Sequence, residues 1–261
     1  MNPIIKNLSF KGVFAVWRRH FHVYRKTLLL NCLPPMSEPI VYLLAFGYGL
    51  TPLVGNLTYY GQKLDYVKFL APGMVAVGVL FQSFFEGSYG TFVRLTYQRT
   101  WHALLTTPLT FADVFFGDLT WAATKGIIAG VLTGIVAICW GAMSFYNLFC
   151  ILPFIVLGSF VFASLGLVSA GLANRVDAIN VPVFLFVVPM FAICGTYFPR
   201  DTLPEWLGLP VSFLPLSALV DLTRSYLHLP KSLSLSLLSL LVWGLVFATL
   251  AWNRLQKKIY R

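Results

Sequence analysis

Long apolar stretches constrain this sequence more than any other feature. A helix needs about 20 mainly apolar residues to cross a bilayer, and it satisfies its backbone hydrogen bonds internally. Six stretches approach or exceed that length, near 27–50, 68–90, 114–143, 148–172, 179–197 and 233–252. With 58% hydrophobic and 11% charged residues, the chain is too apolar for a soluble core. We therefore predict an all-α integral membrane protein with six transmembrane helices in a single transmembrane domain, residues 1–261.

The segment before the first span predicts an interfacial helix. Residues 9–26 place Phe10, Phe14 and Trp17 at helical spacing, and basic side chains occupy much of the remaining surface. Such a helix lies on the membrane surface, with rings in the acyl boundary and cations among the lipid headgroups. A solvated linker is the alternative.

The segments between the spans differ in character. Prolines 34, 35 and 39 predict an irregular first span. Residues 51–67 form a polar connection, and 91–113 is polar enough to predict a surface loop that contains a short helix. Residues 198–230 mix prolines and charges with apolar pieces too short to span. This last segment predicts a re-entrant hairpin before the sixth span.

The distribution of basic residues predicts the orientation. They are concentrated in 6–26, in the 91–113 loop and in the tail at 254–261, which six spans place on one side of the membrane. The positive-inside rule makes that side cytoplasmic, so both termini are expected there and the hairpin at 198–230 faces outward. The net charge of +10 is thereby explained by topology, and we predict no nucleic-acid partner.

The motifs of common enzymes do not occur in the sequence. There is no GxxxxGK[ST] phosphate loop, no HExxH and no GxSxG, and the four cysteines and four histidines have no metal-ligand spacing. We therefore predict a protein that is not an enzyme and that holds no cofactor or metal of its own. If ATP drives this protein, another subunit hydrolyses it.

The segment 97–109 predicts a short amphipathic helix that ends at a proline. Its apolar face would carry Trp101, Leu104 and Leu105, and exposed aromatic residues of this kind anchor protein partners. Such a helix can dock a soluble motor, or it can rest on lipid. The candidate docking residues are Arg99, Trp101, His102, Leu104, Leu105 and Pro108.

Three charged residues fall within the spans. Glu38, Glu86 and Lys125 would each cost about 2.5–3.5 kcal/mol at the bilayer centre if unpaired. Glu86 and Lys125 lie on adjacent helices at compatible depths, so we expect a structural or gating ion pair; snorkelling is the alternative. Glu38, among the prolines of the first span, is a second candidate for a functional polar site.

Aromatic residues are abundant in the first, second and fifth spans. Most are expected to face lipid or to form the interfacial belt. A minority could line a path for an amphipathic or sugar-bearing substrate, and the candidates are Tyr42, Phe46, Phe184 and Phe191.

Several segments resemble one known family. They are FLAPG at 69–73, FEGSYGTFVR at 85–94, RTW at 99–101, TPL at 107–109, WAATK at 121–125, GTYFP at 195–199, LPL at 214–216 and DLTR at 221–224. These segments and the overall pattern are similar to the ABC-2 type permeases, and within them to the NodJ-like subgroup that exports nodulation lipo-oligosaccharides. Related permeases export drugs or polysaccharides.

The resemblance implies a type V exporter-like fold and an exporter in the bacterial inner membrane. It implies a dimer of permeases, each docked through residues 97–109 onto one copy of a separate ATPase, which binds ATP and Mg²⁺. The substrate path would lie between the first and fifth spans of opposing subunits. A stand-alone secondary carrier or channel is the alternative, although no internal repeat of the kind that such carriers show is found.

Overall fold

The computed structural model describes residues 8–49, 55–59, 62–227 and 233–260. The expected end of the first span at residue 50 and the end of the hairpin at residue 230 lie outside these ranges. The side chains of Glu38 and of prolines 34, 35 and 39 are also outside the described part of the chain. The predicted role of Glu38 therefore stays a prediction.

Ten helices, two short 3₁₀ segments (Arg200–Thr202 and Ser225–Leu227) and one small hairpin make up the described chain. Helix α1 is Phe10–Lys26, and α2 is Leu28–Tyr42, which continues as a π-helical segment, Leu43–Tyr48. The antiparallel strands β1 (Asn56–Tyr59) and β2 (Gln62–Asp65) follow. The later helices are α3 (Tyr66–Tyr97), α4 (Thr100–Leu105), α5 (Phe111–Cys139), α6 (Phe145–Leu172), α7 (Val176–Ile193), α8 (Glu205–Ser212), α9 (Pro215–Thr223) and α10 (Leu233–Ile259).

The predicted fold class is confirmed. Among the described residues, α3, α5, α6, α7 and α10 are long and apolar enough to cross a membrane. Trp206–Ser212 and Pro215–Thr223 form a pair bent by 78° that counts as a sixth span or as a re-entrant loop. The bend lies within the segment for which the prolines predicted a re-entrant hairpin.

The prediction that residues 91–113 form a surface loop is wrong at both ends. Helix α3 does not stop at Gly90 but continues to Tyr97, because Phe92 packs against α6 and Leu95 packs in a cluster with Trp101. Helix α5 begins at Phe111, three residues before the expected start. Thr110 caps it: its hydroxyl accepts from the Asp113 N–H, and the Asp113 carboxylate accepts from the Thr110 N–H.

Several other segments also differ from those predicted. The polar connection at 51–67 contains the β-hairpin, which the sequence pattern did not predict. Helix α6 starts at Phe145 rather than 148, because the Ser144 hydroxyl accepts from the Asn147 N–H. Helix α7 ends at Ile193 rather than 197, since Gly195 has a φ of +84° that helical residues do not adopt.

Helix α1 packs along the first half of α5. Its inward face consists of Gly12, Val16, His20 and Tyr24, which are all buried. The indole N–H of Trp17 donates to the Thr124 hydroxyl at 2.9 Å. The rings of Phe10 and Phe14 are exposed on the opposite side, where an interfacial helix meets lipid.

Helices α3 and α6 approach each other backbone to backbone. A Cβ atom added at Gly166 would lie 2.5 Å from the carbonyl oxygen of Phe84, and one added at Gly87 would lie 2.6 Å from that of Ala163. Membrane helices use small residues in this way, because no hydrophobic force draws them together and close van der Waals packing must do so. Only glycine therefore fits at these two positions.

We expect Gly166→Ala to destabilise the protein by about 1–3 kcal/mol, because the added methyl group forces α3 and α6 apart. Unfolding by sodium dodecyl sulfate in mixed micelles measures the change. Gly208→Ala is the matched control, since nothing lies within 4 Å of its added Cβ atom. Equal stability of the two variants would contradict the close approach.

Candidate functional site

Glu86 and Lys125 form the ion pair that the sequence predicted. The Lys125 Nζ lies 2.8 Å from Glu86 Oε2, and the ammonium also lies 5.2 Å from the centre of the Tyr24 ring. The other carboxylate oxygen of Glu86 accepts from Arg94 Nη1 at 2.5 Å and from the Trp121 indole N–H at 2.9 Å. Glu86 is thus held by two cations and one neutral donor.

Arg94 connects this pair to a second carboxylate, Asp118. The Nε of Arg94 lies 3.0 Å from Asp118 Oδ1, and His20 Nε2 lies 3.1 Å from the same oxygen. The other oxygen, Oδ2, accepts from the Thr91 hydroxyl at 2.8 Å and from the Trp101 indole N–H at 3.2 Å. The Asp118 side chain is 0% exposed. We call Glu86, Arg94, Asp118, Lys125 and His20 the charge network.

The charge network joins four helices at one point. Helix α1 supplies His20, the end of α3 supplies Glu86 and Arg94, and α5 supplies Asp118 and Lys125. Helix α4 reaches it through Trp101. The end of α3 contains two π-helical segments, Glu86–Gly90 and Val93–Tyr97, a backbone form that is frequent at functional sites. Two carboxylates face two permanent cations, so the charges balance before His20 is counted.

The short helix within 97–109 is present as α4, but it does not have the predicted surface. Trp101 is only 1% exposed, so the expectation that its ring is free to anchor a partner is wrong. It packs in the cluster formed by α1, α5, α6 and α10, where Leu104 and Leu105 are partly buried. The apolar face of α4 serves the chain's own interior because Asp118 gives the indole N–H a buried acceptor.

The polar residues of the same segment remain accessible. Arg99, His102 and Pro108 are exposed, and so are Gln98 and Thr107. Arg99 has a φ of 49°, which a residue with a side chain rarely adopts. This left-handed residue interrupts the helical backbone between α3 and α4.

Three of the four predicted path residues meet around one tyrosine. Ring centres of Tyr42, Phe46 and Phe191 lie 5.9, 5.0 and 5.3 Å from that of Tyr197. Phe184 does not join them: it is 71% exposed and lines an open depression on α7. The aromatic cluster of Tyr42, Phe46, Phe191 and Tyr197 lies near the far ends of α2 and α7 from the charge network.

A buried arginine secures the chain beyond α7. Arg224, 1% exposed, donates to the carbonyl oxygens of Gly195 at 2.9 Å, Thr196 at 3.2 Å and Phe69 at 3.1 Å. Its guanidinium lies 3.7 Å from the centre of the Phe69 ring. Arg200 and Asp221 form a second buried ion pair nearby. These contacts fix the bent pair α8–α9 against the start of α3.

Sequence reasoning missed Asp118 and assigned Arg94 to a surface loop. Two spacings could have found them. Asp118 and Lys125 are seven residues apart on α5, and Glu86 and Arg94 are eight apart on α3, so each pair lies two turns apart on one helix face. Charges repeated on one face of an apolar helix indicate a buried network rather than isolated snorkelling residues.

The chain is similar to known proteins over most of its length. The family described as ABC-2 type transporter matches residues 11–228. Nodulation protein J of Rhizobium leguminosarum bv. trifolii is 39% identical over 210 residues, which are 80% of this chain and 79% of that protein. Nodulation protein J of Bradyrhizobium diazoefficiens is 38% identical with the same coverage. That of Azorhizobium caulinodans is 24% identical over 214 residues, 82% of this chain and 83% of that protein.

Proposed function

This chain belongs to the ABC-2 type transporter family and is the membrane subunit of an ABC transporter, and we propose that it exports an amphipathic or glycolipid-like substrate from the cytoplasm. It is a multi-pass membrane protein. The proposed location is the bacterial inner membrane with both termini in the cytoplasm, which the basic residues of α1 and of the tail support. The proposed cargo follows from the resemblance to the NodJ-like permeases, and relatives named Nodulation protein J support a place in that subgroup.

The family implies an ATPase partner, and we propose that two copies of a separate ATPase bind two copies of this chain. ATP and Mg²⁺ would be bound by that partner. The docking surface is the exposed side of residues 97–109, with Arg99, His102 and Pro108 as its contacts. Trp101, Leu104 and Leu105 support that surface from within rather than touching the partner.

The contact between Trp101 and Asp118 is the observation that carries this proposal. It links the cytoplasmic segment directly to α5 through a buried hydrogen bond, and Asp118 is paired in turn with Arg94 on α3 and with His20 on α1. A displacement of α4 by the motor would therefore change the positions of three helices together. Such a link converts movement at a docking site into rearrangement of the spans.

A second copy of the chain would complete the substrate path. Helix α7 exposes Phe184 and Leu185 on its outer side, where a partner's first span can pack. The aromatic cluster around Tyr197 is suited to a sugar-bearing lipid, because ring faces pack on the apolar faces of sugars. We propose that Tyr42, Phe46 and Phe191 contact the passing substrate, whereas Phe184 contacts the second copy.

Co-purification tests the docking. The tagged chain is extracted from native membranes in mild detergent and assayed for ATPase activity, and bound proteins are identified by mass spectrometry. We expect an ATPase with a phosphate-loop motif to co-purify. We expect the double variant Arg99→Glu, His102→Glu to retain less than about a tenth of it, since removing an exposed cation and adding two carboxylates at a docking surface opposes binding.

Lys257→Glu is the matched control, because Lys257 is an exposed cation of α10 and is no part of the 97–109 segment. Unchanged recovery of the ATPase in this control supports the assigned surface. Purification of a chain that carries no ATPase and still moves solute down an ion gradient would make it a secondary carrier.

A further inference from the structure

A cavity of about 440 Å³ lies between the interfacial helix and the membrane bundle. Its walls come from α1, the start of α2, the end of α3 and the middle of α5. The aromatic cluster does not border it, and of the 97–109 segment only Gln98 lines it. Four members of the charge network line it: His20, Glu86, Arg94 and Lys125.

The lining offers more hydrogen-bond donors than the protein itself uses. Lys125 has three N–H donors, and Glu86 accepts one of them. Arg19 also lines the cavity, and it makes no ion pair with any residue in the described ranges 8–49, 55–59, 62–227 and 233–260. Gln98, whose amide carries two further N–H donors, lines the same space.

The charges of the lining favour an anion. Glu86 is the carboxylate of the wall, and Arg94 and Lys125 already neutralise it at 2.5 and 2.8 Å. Asp118 lies behind Arg94 and takes part of its charge. Among the described residues, no carboxylate pairs with Arg19, which therefore adds a positive charge to the lining. Arg19 and Lys125 line the same cavity, and an oxyanion accepts charge-assisted hydrogen bonds from groups of both kinds.

The rim of the cavity favours an anion that carries an acyl chain. Val23 lies on the rim and is 62% exposed. Arg19 and Val23 also border a shallow groove along the outside of α1, which Lys11 and Arg18 line. A basic groove with exposed apolar residues on an interfacial helix is the surface that collects anionic lipids.

We infer that this cavity binds the phosphate group of an anionic lipid headgroup. Arg19 and Lys125 hold the phosphate, Gln98 donates a further hydrogen bond, and the acyl chains extend past Val23 into the bilayer. The site is separate from the transported substrate, since it lies on the α1 side of the bundle. It places an anionic lipid against the residues that hold α1 to α5.

Binding of short-chain phosphatidic acid tests the inference. The full chain is reconstituted in nanodiscs of phosphatidylcholine and titrated by calorimetry with dihexanoyl phosphatidic acid, with inorganic phosphate, and with dihexanoyl phosphatidylcholine. We expect phosphatidic acid to bind and Arg19→Ala to weaken it about ten-fold, the value of one hydrogen bond to a charged group. Gln98→Leu is expected to weaken it several-fold.

Arg18→Ala is the matched control, because Arg18 lines the outer groove and not the cavity. We expect this variant to bind phosphatidic acid within two-fold of the native chain. Equal binding of inorganic phosphate and phosphatidic acid, both dependent on Arg19, would keep the site and identify free phosphate as its ligand. Equal losses in Arg18→Ala and Arg19→Ala, or no binding of either phosphate probe, would overturn the inference.

Discussion

Asp118→Ala is expected to lower the free energy of unfolding by about 3–5 kcal/mol, the cost of breaking a buried charge pair by removing one partner. The substitution takes the acceptor from Trp101 and Thr91 and leaves Arg94 with one carboxylate instead of two. A cation that loses its partner in a buried site keeps its desolvation cost without the compensating attraction. Unfolding in mixed micelles containing sodium dodecyl sulfate measures the loss.

Asp177→Ala is the control for Asp118→Ala, since it removes the same group from an exposed position on α7. We expect that control to stay within about 0.5 kcal/mol of the native chain. A second variant, Asp118→Asn, separates the two roles of this side chain. It keeps a hydrogen-bond acceptor for Trp101 and removes the negative charge that pairs with Arg94. If Asp118→Ala is as stable as Asp177→Ala, the charge network does not hold α1, α4 and α5 together.

The fold class could be predicted because the physics behind it is simple. Apolar stretches of membrane length leave few alternatives, and the prolines after residue 198 exclude a straight helix there. The ends of the helices could not be predicted in the same way. Capping by Thr110 and Ser144 sets the starts of α5 and α6, and burial of Phe92 extends α3 by seven residues past the expected end.

The candidate site was predicted in part, because the sequence shows which residues need a partner but does not always show which partner they contact after folding. Glu86 and Lys125 are charged residues in apolar segments. Their pairing could be predicted because an unpaired charge within the bilayer costs free energy. The prediction that Trp101 is exposed for a partner was wrong. An amphipathic helix can bury its apolar face against a partner or against its own chain, and the sequence pattern is the same in both cases. The deciding contact, from Trp101 to Asp118, joins residues whose meeting depends on the turn at Arg99.

Each end of the bundle contains a largely buried arginine that joins separate parts of the chain. At the charge network, Arg94 bridges two carboxylates that belong to different helices. At the opposite end, Arg224 bridges carbonyl groups, which cannot change their charge or move independently of the backbone. The side chains around Arg94 can exchange partners, so the charge network can rearrange. The contacts of Arg224 with backbone carbonyls are suited to a fixed anchor.

Arg224→Met is therefore expected to destabilise the protein by at least about 3 kcal/mol, because the carbonyl oxygens of Phe69, Gly195 and Thr196 stay buried and lose their common donor. Each such loss costs about 1–3 kcal/mol. Methionine fills a similar volume, so the effect reports on hydrogen bonding more than on packing. Arg224→Lys keeps the charge but lacks the planar fork, so its free energy of unfolding is expected to lie between those of Arg224→Met and the native chain.

The Arg175→Met control changes an exposed arginine on the other side of the bundle. Limited proteolysis in nanodiscs adds a local measurement: residues 198–214 should be cleaved faster in Arg224→Met than in Arg175→Met, since the bent pair α8–α9 is released from the start of α3. Equal stability and equal cleavage of these two variants would show that the bent pair is held by its apolar contacts alone.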